Sequence, residues 1–268
     1  MDSENMAMEK GRRMPKVELK AAERLDDLMA NDLKIIQSDE VFCFSMDAVL
    51  LAHFCSVPAR GNVLDLCTGN GVVPLILTTR TKARIQGVEI QPRLADMAAR
   101  NVTLNGLDDR VEIVCGDLRT IHERLGFGRY DLVTVNPPYL PVSAGEPSRN
   151  VHYAAARHEI YCTLEDVVRA CSRLVKTGGK AAIVHRPFRL IELLGLLRQY
   201  GLEPKRIRFV HPRAGAEANM VLVEAIRGGK PEVRLLPPLI VYGEDGRYCP
   251  ELQRIYNGDK SGEAGDMR

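Results

Sequence analysis

No stretch of this chain approaches the ~18 continuous apolar residues that a membrane-spanning helix requires. The polar start, with Asp2, Glu4, Glu9, Lys10, Arg12 and Arg13, also lacks the apolar core of a secretory signal. No membrane partner is expected, and the predicted compartment is the cytoplasm. The seven cysteines are an odd number and contain no C-x-x-C pair. That excludes a paired disulfide framework and the common zinc-site spacings. Cys43, Cys67 and Cys115 stand within apolar runs and read as small hydrophobes, reduced and free of metal. Internal repeats and low-complexity blocks are missing too. What is left is a soluble composition over 268 residues, room for one large α/β domain with short additions at each end.

The small net charge of +2 hides an asymmetry. Residues 169–234 hold 14 Lys and Arg against 5 Asp and Glu, a local +9, so the remainder is net −7. A polyanion is the partner such polarity suggests, with Lys205, Arg206 and Arg208 among the candidate phosphate contacts; the alternative is a solvated surface.

Residues 1–16 are polar and expected to lack fixed structure. The apolar positions Leu19, Leu25, Leu28 and Met29 predict a helix over 17–30. Short strands at 33–37 and 41–44 around Ser38-Asp39-Glu40 suggest a hairpin, and Ser45 can cap a helix from Met46 to about Cys55. From Gly61 onward strand and helix alternate. Strands are expected at 62–66, 83–90, 110–115, 130–135 and 180–184, and helices at 71–80, 92–105, 164–174 and 187–200. Pro92 and Pro187 suit first helical turns, while Gly106, Gly178-Gly179 and Gly201 supply stops. This alternation predicts a parallel sheet covered on both faces. Segments 205–210 and 220–226 have no helix between them and read as an antiparallel hairpin. After Gly228-Gly229 a proline-containing tail is expected to lie extended on the body.

Three acids stand at the ends of successive predicted strands. The first precedes the turn Asp65-Leu-Cys-Thr-Gly69-Asn-Gly71, where glycines let the backbone approach a ligand at a helix N-terminus. A dinucleotide site would have a third glycine where Pro74 stands, which disfavours a nicotinamide oxidoreductase. The D-x-x-x-G-x-G spacing is instead that of S-adenosylmethionine binders. Glu89 ends the second strand, where a carboxylate can accept both ribose hydroxyls. Asp117 ends the third and can meet an adenine amine. Taken singly these would be a loop acid, a solvated Glu and a helix cap; their order argues for one cofactor site. Thr68, Gly69, Gly71, Ile90 and Leu118 complete it as neighbours of the acids, with Asn136 from the end of the fourth strand.

The fourth strand runs into Asn136-Pro137-Pro138-Tyr139. Asn-Pro alone is a common turn signal, but here it falls at the carboxyl end of the sheet, where ligands lie. The chemistry matches a conjugated amine, whose delocalised lone pair makes it a poor nucleophile. The Asn136 side-chain oxygen and the Pro137 carbonyl can each accept one N–H, which favours localising the lone pair toward a methyl donor. Tyr139, with Pro138, gives a flat surface for an extruded base. Asn136, Pro137 and Tyr139 are therefore the expected catalytic residues.

Together these motifs resemble the N6-adenine and N5-glutamine methyltransferases that share the Asn-Pro-Pro-Tyr loop. Leu33-Lys-Ile-Ile-Gln37, Phe42-Cys-Phe44-Ser45-Met-Asp47 and Leu64-Asp-Leu-Cys-Thr-Gly-Asn-Gly71 are similar to segments of the bacterial valine-tRNA adenosine N6-methyltransferases. Arg157-His-Glu-Ile, His185-Arg-Pro187, Glu217-Ala-Asn-Met220 and Leu236-Pro-Pro-Leu239 continue the likeness, which spans about residues 17–256. The resemblance implies a Rossmann-like class I methyltransferase: an α/β fold with a seven-stranded, mostly parallel sheet and a C-terminal antiparallel hairpin. It implies S-adenosylmethionine as the only cofactor, no metal, tRNA as the partner, and a monomer or weak dimer. It implies that Phe44, Ser45 and Asp47 line the cofactor pocket. The expected organisation is an extension over 1–60, the methyltransferase domain over 61–227 and a tail over 228–268.

Substrate class stays open on the residues alone. A glutamine amide, as in release-factor methylation, also suits the loop, although only about 60 residues precede Asp65 and those enzymes carry a larger leading domain. Ribosomal RNA is another target, and a noncatalytic RNA-binding module is a third class. The polar segment 145–157 follows the catalytic turn. Arg149, His152, Arg157, His158 and Arg186 are candidate substrate contacts, each with the alternative of an ordinary surface residue.

Overall fold

A computed structural model describes residues 17–28, 32–41, 44–139 and 161–257. Among them nine strands form one sheet and two more form a separate ribbon. The ribbon pairs β1 (Glu23–Asp27) with β2 (Lys34–Ser38), antiparallel. This corrects the helix expected over 17–30 and gives Lys34–Ser38 the partner β1; of the other strand expected for a hairpin, 41–44, Phe42 and Cys43 lie outside the described residues. Leu19 and Leu25, which suggested an apolar helical face, are 44% and 48% exposed. The buried Ile35 and Ile36 of β2 bring the segment into strand pairing, and tertiary contact overrides the local pattern.

After α1 (Met46–Phe54) the alternation predicted from Gly61 appears: β3 (Asn62–Leu66), α2 (Val72–Thr78), β4 (Arg84–Glu89), α3 (Pro92–Leu104), β5 (Val111–Cys115), α4 (Ile121–Leu125) and β6 (Tyr130–Val135). Next come α5 (Leu164–Leu174), β7 (Val175–His185), a 3-10 turn (Pro187–Arg189) and α6 (Leu190–Gln199). The antiparallel pair β8 (Leu202–Arg213) and β9 (Met220–Arg227) follows. The short helix α4 was not expected. Gly178-Gly179 does not end α5, which stops at Leu174; the two glycines sit inside β7, at an irregularity opposite Tyr130–Leu132. Nor is the tail simply extended. It contributes β10 (Arg234–Leu235), β11 (Leu239–Tyr242) and α7 (Pro250–Asn257). Both tail strands lie parallel to β8, so the expected seven strands become nine.

The strand order is β10-β8-β9-β7-β6-β3-β4-β5, with β11 also on β8. Strands β3 to β7 are parallel, and the connections turn from one side of β3 to the other between β5 and β6. A crevice opens at the carboxyl ends of strands where connectivity reverses in this way. One apolar core packs α1, α2 and α7 against the sheet, a second packs α5 and α6, and a smaller one joins β2 to α3. Cys115, the last residue of the edge strand β5, is exposed, contrary to its reading as a core thiol. Cys43, Arg149, His152, Arg157, His158 and the start of the chain lie outside the described residues.

Candidate active site

The buried run of β3 carries Asp65 and ends at Leu66, and the chain turns sharply through Cys67 (φ 56°), Gly69 (φ 57°) and Gly71 (φ 90°). A left-handed conformation is ordinary for glycine and costly for Cys67, so the turn holds strain where the ligand cleft opens. The turn is tied down by Thr68 N–H to the Val88 carbonyl (3.0 Å) and Gly71 N–H to the Thr68 carbonyl (2.9 Å). A side chain at Gly69 would meet nothing within 4 Å, so this backbone faces open space.

The three strand-end acids differ in environment. Asp65 is buried; its Oδ1 accepts from the Thr134 hydroxyl at 2.6 Å, while its Oδ2 and the Thr68 Oγ1 are buried without hydrogen-bond partners. Burial pushes the Asp65 carboxyl up to about 7, offset in part by Thr134 and reinforced by the neighbouring Glu89 charge. Burial also raises Glu89, against backbone donors that favour its charged form. Those donors are Gly69 N–H to Oε2 (2.9 Å) and Gln91 N–H to Oε1 (3.0 Å). Asp117 is lowered by hydrogen bonding from Arg119, whose Nε and Nη2 lie 2.9 and 2.5 Å from Oδ2.

At the end of β6, Pro137 is buried and Asn136, Pro138 and Tyr139 are half-buried. The Tyr139 hydroxyl lies 2.6 Å from Asp47 Oδ2 and 2.5 Å from the Asn136 amide oxygen. A hydroxyl has one hydrogen, and the carboxylate is the stronger acceptor. Turning the Asn136 amide about its own plane then presents its NH2 to Tyr139 and its oxygen to the cavity. Asp47 Oδ1 accepts from the Ser45 hydroxyl and from Ala48 N–H. Ser45 thus stands at the N-cap of α1 without capping through its side chain. His185 meets the Tyr139 ring edge-on at 5.2 Å, and the Arg186 guanidinium lies 4.8 Å over it.

A single cavity of about 1030 Å³, mouth included, is lined by Phe44, Ser45, Asp47, Asp65, Thr68, Gly69, Glu89, Ile90, Asp117, Leu118 and Asn136–Tyr139. Gly71 stands behind it as the N-cap of α2, and Arg186 lines an adjoining groove instead. Cys67, Asn70, Gln91, Leu94, Tyr161 and Cys162 also line the cavity and were not expected there from the sequence, Cys67 having been read as a small hydrophobe. Cys67, Asn70 and Gln91 are legible as neighbours of the motif residues, whereas nothing local marks Cys162. The Cys67 thiol is raised well above its usual range by its Cys162 neighbour and by burial, so it is no nucleophile. S-adenosylmethionine presents an ammonium, a ribose diol and an adenine amine. The unpartnered Asp65 oxygen, the spare lone pairs of Glu89 and the Asp117 carboxylate are acceptors of the right kind for them.

Those acceptors share one cleft with the Asn136–Tyr139 loop. The fold and the cavity are those of a Rossmann-like, S-adenosylmethionine-dependent methyltransferase. The model of the methyltransferase small domain family matches residues 32–199, and the chain belongs to that family. A protein of Porphyromonas gingivalis (strain W83) named tRNA1(Val) (adenine(37)-N6)-methyltransferase is 31% identical over 219 residues, covering 78% of this chain and 85% of its own. A protein of the same name from Aeromonas hydrophila is 32% identical over 205 residues, covering 75% and 83%. Among solved structures, a predicted O-methyltransferase of Agrobacterium tumefaciens superposes with a TM-score of 0.65 at 24% identity, over 80% of this chain and 96% of that one. The P. horikoshii TYW2 structure gives 0.55 at 16% identity, over 78% and 73%. These two likenesses speak for the fold alone.

Proposed function

We propose that the protein transfers a methyl group from S-adenosylmethionine to the N6 of an adenine in RNA, namely adenosine 37 of a valine tRNA, in the cytoplasm. The carrying observation is that Asn136–Tyr139 closes the same cavity that holds Asp65, Glu89 and Asp117. The names of the relatives supply the RNA target and the nucleotide. When bound, the cofactor supplies an electrophilic methyl on a sulfonium.

Every other part of the reaction falls to residues of the chain. Glu89 accepts the ribose hydroxyls, Asp117 faces the adenine amine and Asp65 faces the ammonium. Phe44 and Leu118 wall the cavity and exclude water, and the open backbone at Gly69 admits the methionine part. The Asn136 oxygen and the Pro137 carbonyl accept the two N–H bonds of the target amine. Those acceptors gain most as the amine pyramidalises and its hydrogens become more acidic, so they stabilise the transition state more than the ground state. Tyr139 and Pro138 stack the extruded base, and the amine loses its extra proton after transfer.

Tritiated methyl transfer onto valine tRNA, ribosomal RNA and a release factor, assayed separately, tests the reading. Label in the tRNA at N6 of adenosine 37 is expected; label only in the release factor would replace the reading with glutamine methylation. Asn136→Ala should lower the single-turnover rate by about 10²-fold or more at nearly unchanged cofactor affinity. Near wild-type turnover in that variant would remove the amine-holding mechanism.

A further inference from the structure

Beside the catalytic loop runs a groove of about 580 Å³, open side included, walled by Arg186, Pro212, Asn219, Met220, Val241 and Tyr242. None of the steps above uses it. It shares Ser45 and Asp47 with the cofactor cavity, so one partition divides the two spaces. The Tyr139 hydroxyl on Asp47 belongs to that partition, and so does the Arg186 guanidinium over the Tyr139 ring.

The groove's chemistry is two-sided. Arg186 gives one N–H to the Asn219 carbonyl at 2.8 Å and pairs with no carboxylate among the described residues. A guanidinium carries five N–H donors, so most remain for a ligand. Asp47, whose oxygens accept from Ser45, Ala48 and Tyr139, keeps its negative charge at the groove, so an anion there is held by Arg186 against that charge. Pro212, Met220, Val241 and Tyr242 line the same groove and give it apolar and aromatic character. Tyr248 stacks on Tyr242 at 5.3 Å and Tyr256 on Tyr248 at 5.6 Å, so this wall is braced by an aromatic ladder reaching into α7. Arg213, the register partner of Tyr242, is exposed at the end of β8 and adds positive charge beside the groove.

A planar cation in one groove with aromatic and aliphatic side chains suits one nucleotide, phosphate to the cation and base to the apolar residues. A base drawn into the catalytic cavity brings its neighbours in the strand to that cavity's rim. We infer that the groove holds a nucleotide directly flanking the methylated adenosine, its base against Tyr242 and Met220 and its phosphate on Arg186. The inference rests on the RNA reading above. It assigns to the C-terminal tail, through Tyr242, a share in substrate recognition.

The test uses the full-length protein and a valine-tRNA anticodon stem-loop carrying an abasic residue immediately 5′ or 3′ of the target adenosine. Catalytic efficiency is measured for the wild type, Tyr242→Ala and Asn219→Ala, with calorimetric cofactor affinity reporting an intact fold. One of the two abasic RNAs should lose about tenfold in kcat/KM with the wild type, as removal of a base–aromatic stack does. The same loss should shrink to about twofold or less with Tyr242→Ala, because the wall it measures is already gone. Should Tyr242→Ala bind cofactor poorly, Tyr242→Leu keeps an apolar filler without the aromatic face and completes the same cycle. Equal abasic penalties in wild type and variant, or none in the wild type on an RNA it methylates, would overturn the groove assignment and leave the RNA reading intact. No methylation of the unmodified stem-loop or of whole tRNA would overturn both.

Discussion

At Tyr139 the residue scale already alters what the sequence suggests. As a stacking surface alone Tyr139 could be replaced by Phe at little cost. Its hydroxyl, however, faces the buried Asp47 carboxylate, and burial together with that charge raises its own ionisation well above the usual range. Tyr139→Phe therefore leaves Asp47 Oδ2 short of a donor in a place water reaches poorly, a loss of about 1–3 kcal/mol. The melting temperature should drop by roughly 2–8 °C while the base-stacking surface stays; an unchanged melting curve would show that the hydroxyl carries nothing. Asp65 supplies a second prediction. Burial lifts its folded-state pKa from 3.8 to about 7, so in this window the folded chain without cofactor keeps a proton that the unfolded chain has lost. Its contribution to stability consequently falls as pH rises from about 4 to about 7 and is constant above. A bound ammonium favours the charged form, so cofactor binding should expel a proton near pH 6.5 and tighten toward pH 8. Calorimetry in two buffers of different ionisation enthalpy reads that proton directly. Identical heats at pH 6.5, or a buffer dependence that survives Asp65→Asn, would rule Asp65 out as its source.

Between elements, two amides on one helical face hold the ribbon to the site. Asn101 and Asn105 are four residues apart on or just beyond α3, and Lys34 and Ile36 are two apart on β2. Ile36 N–H reaches Asn101 Oδ1 at 2.6 Å, and Lys34 N–H reaches Asn105 Oδ1 at 2.9 Å. Asn105 Nδ2 returns to the Lys34 carbonyl at 2.8 Å, so the side chains serve β2 as a neighbouring strand would. Asn101 Nδ2 also donates to the Asn70 carbonyl at 2.9 Å, inside the glycine turn. Asn101→Leu should strand these groups, cost about 2–4 kcal/mol and weaken cofactor binding without touching the cavity. Thermal melts with cofactor titration would show it, and undiminished affinity would cut the supposed link to the turn. Such a link explains what was legible in the sequence. Strand β6 and helix α5 appear with their expected bounds because an apolar run and a helical period are local signals. The segment Glu23-Arg-Leu-Asp-Asp carries no strand pattern; its pairing depends on Lys34–Ser38 and on Arg100, which holds Glu23 at 2.6 Å from the far side of the chain. The acids and the Asn-Pro-Pro-Tyr loop were legible because each stands at or just past the end of its own strand. The Asp47–Tyr139 pair was not, since it spans 92 positions that only the folded sheet brings together.

Over the whole molecule, positive charge tells more once its partners are known. Six of the 14 cations in 169–234 pair with carboxylates among the described residues. Arg169 pairs with Asp166, Lys176 with Asp131, Arg189 with Glu192 and Arg198 with Glu203. Arg206 meets Glu224 at 3.1 Å and Arg208 meets Glu251 at 2.7 Å, which counts against both as phosphate contacts. Glu224 is almost wholly buried and also receives Ser56 N–H at 2.6 Å, so removing Arg206 leaves a carboxylate uncompensated inside the protein. Replacing Lys205, Arg206 and Arg208 by Ala should thus lower stability by up to about 3 kcal/mol rather than change how RNA is held. Arg186 and Arg213 border the groove and pair with no carboxylate among the described residues. Removing a single cation from a phosphate should reduce the slope of log affinity against log salt by about 0.7–0.9. Anisotropy titrations of a labelled tRNA between about 50 and 200 mM salt separate the two groups of residues. Arg186→Gln and Arg213→Ala should each flatten the slope with the melting temperature nearly constant, whereas the triple variant should melt earlier with its slope preserved. The opposite pattern would return the phosphate-binding role to β8 and make the ion pairs incidental.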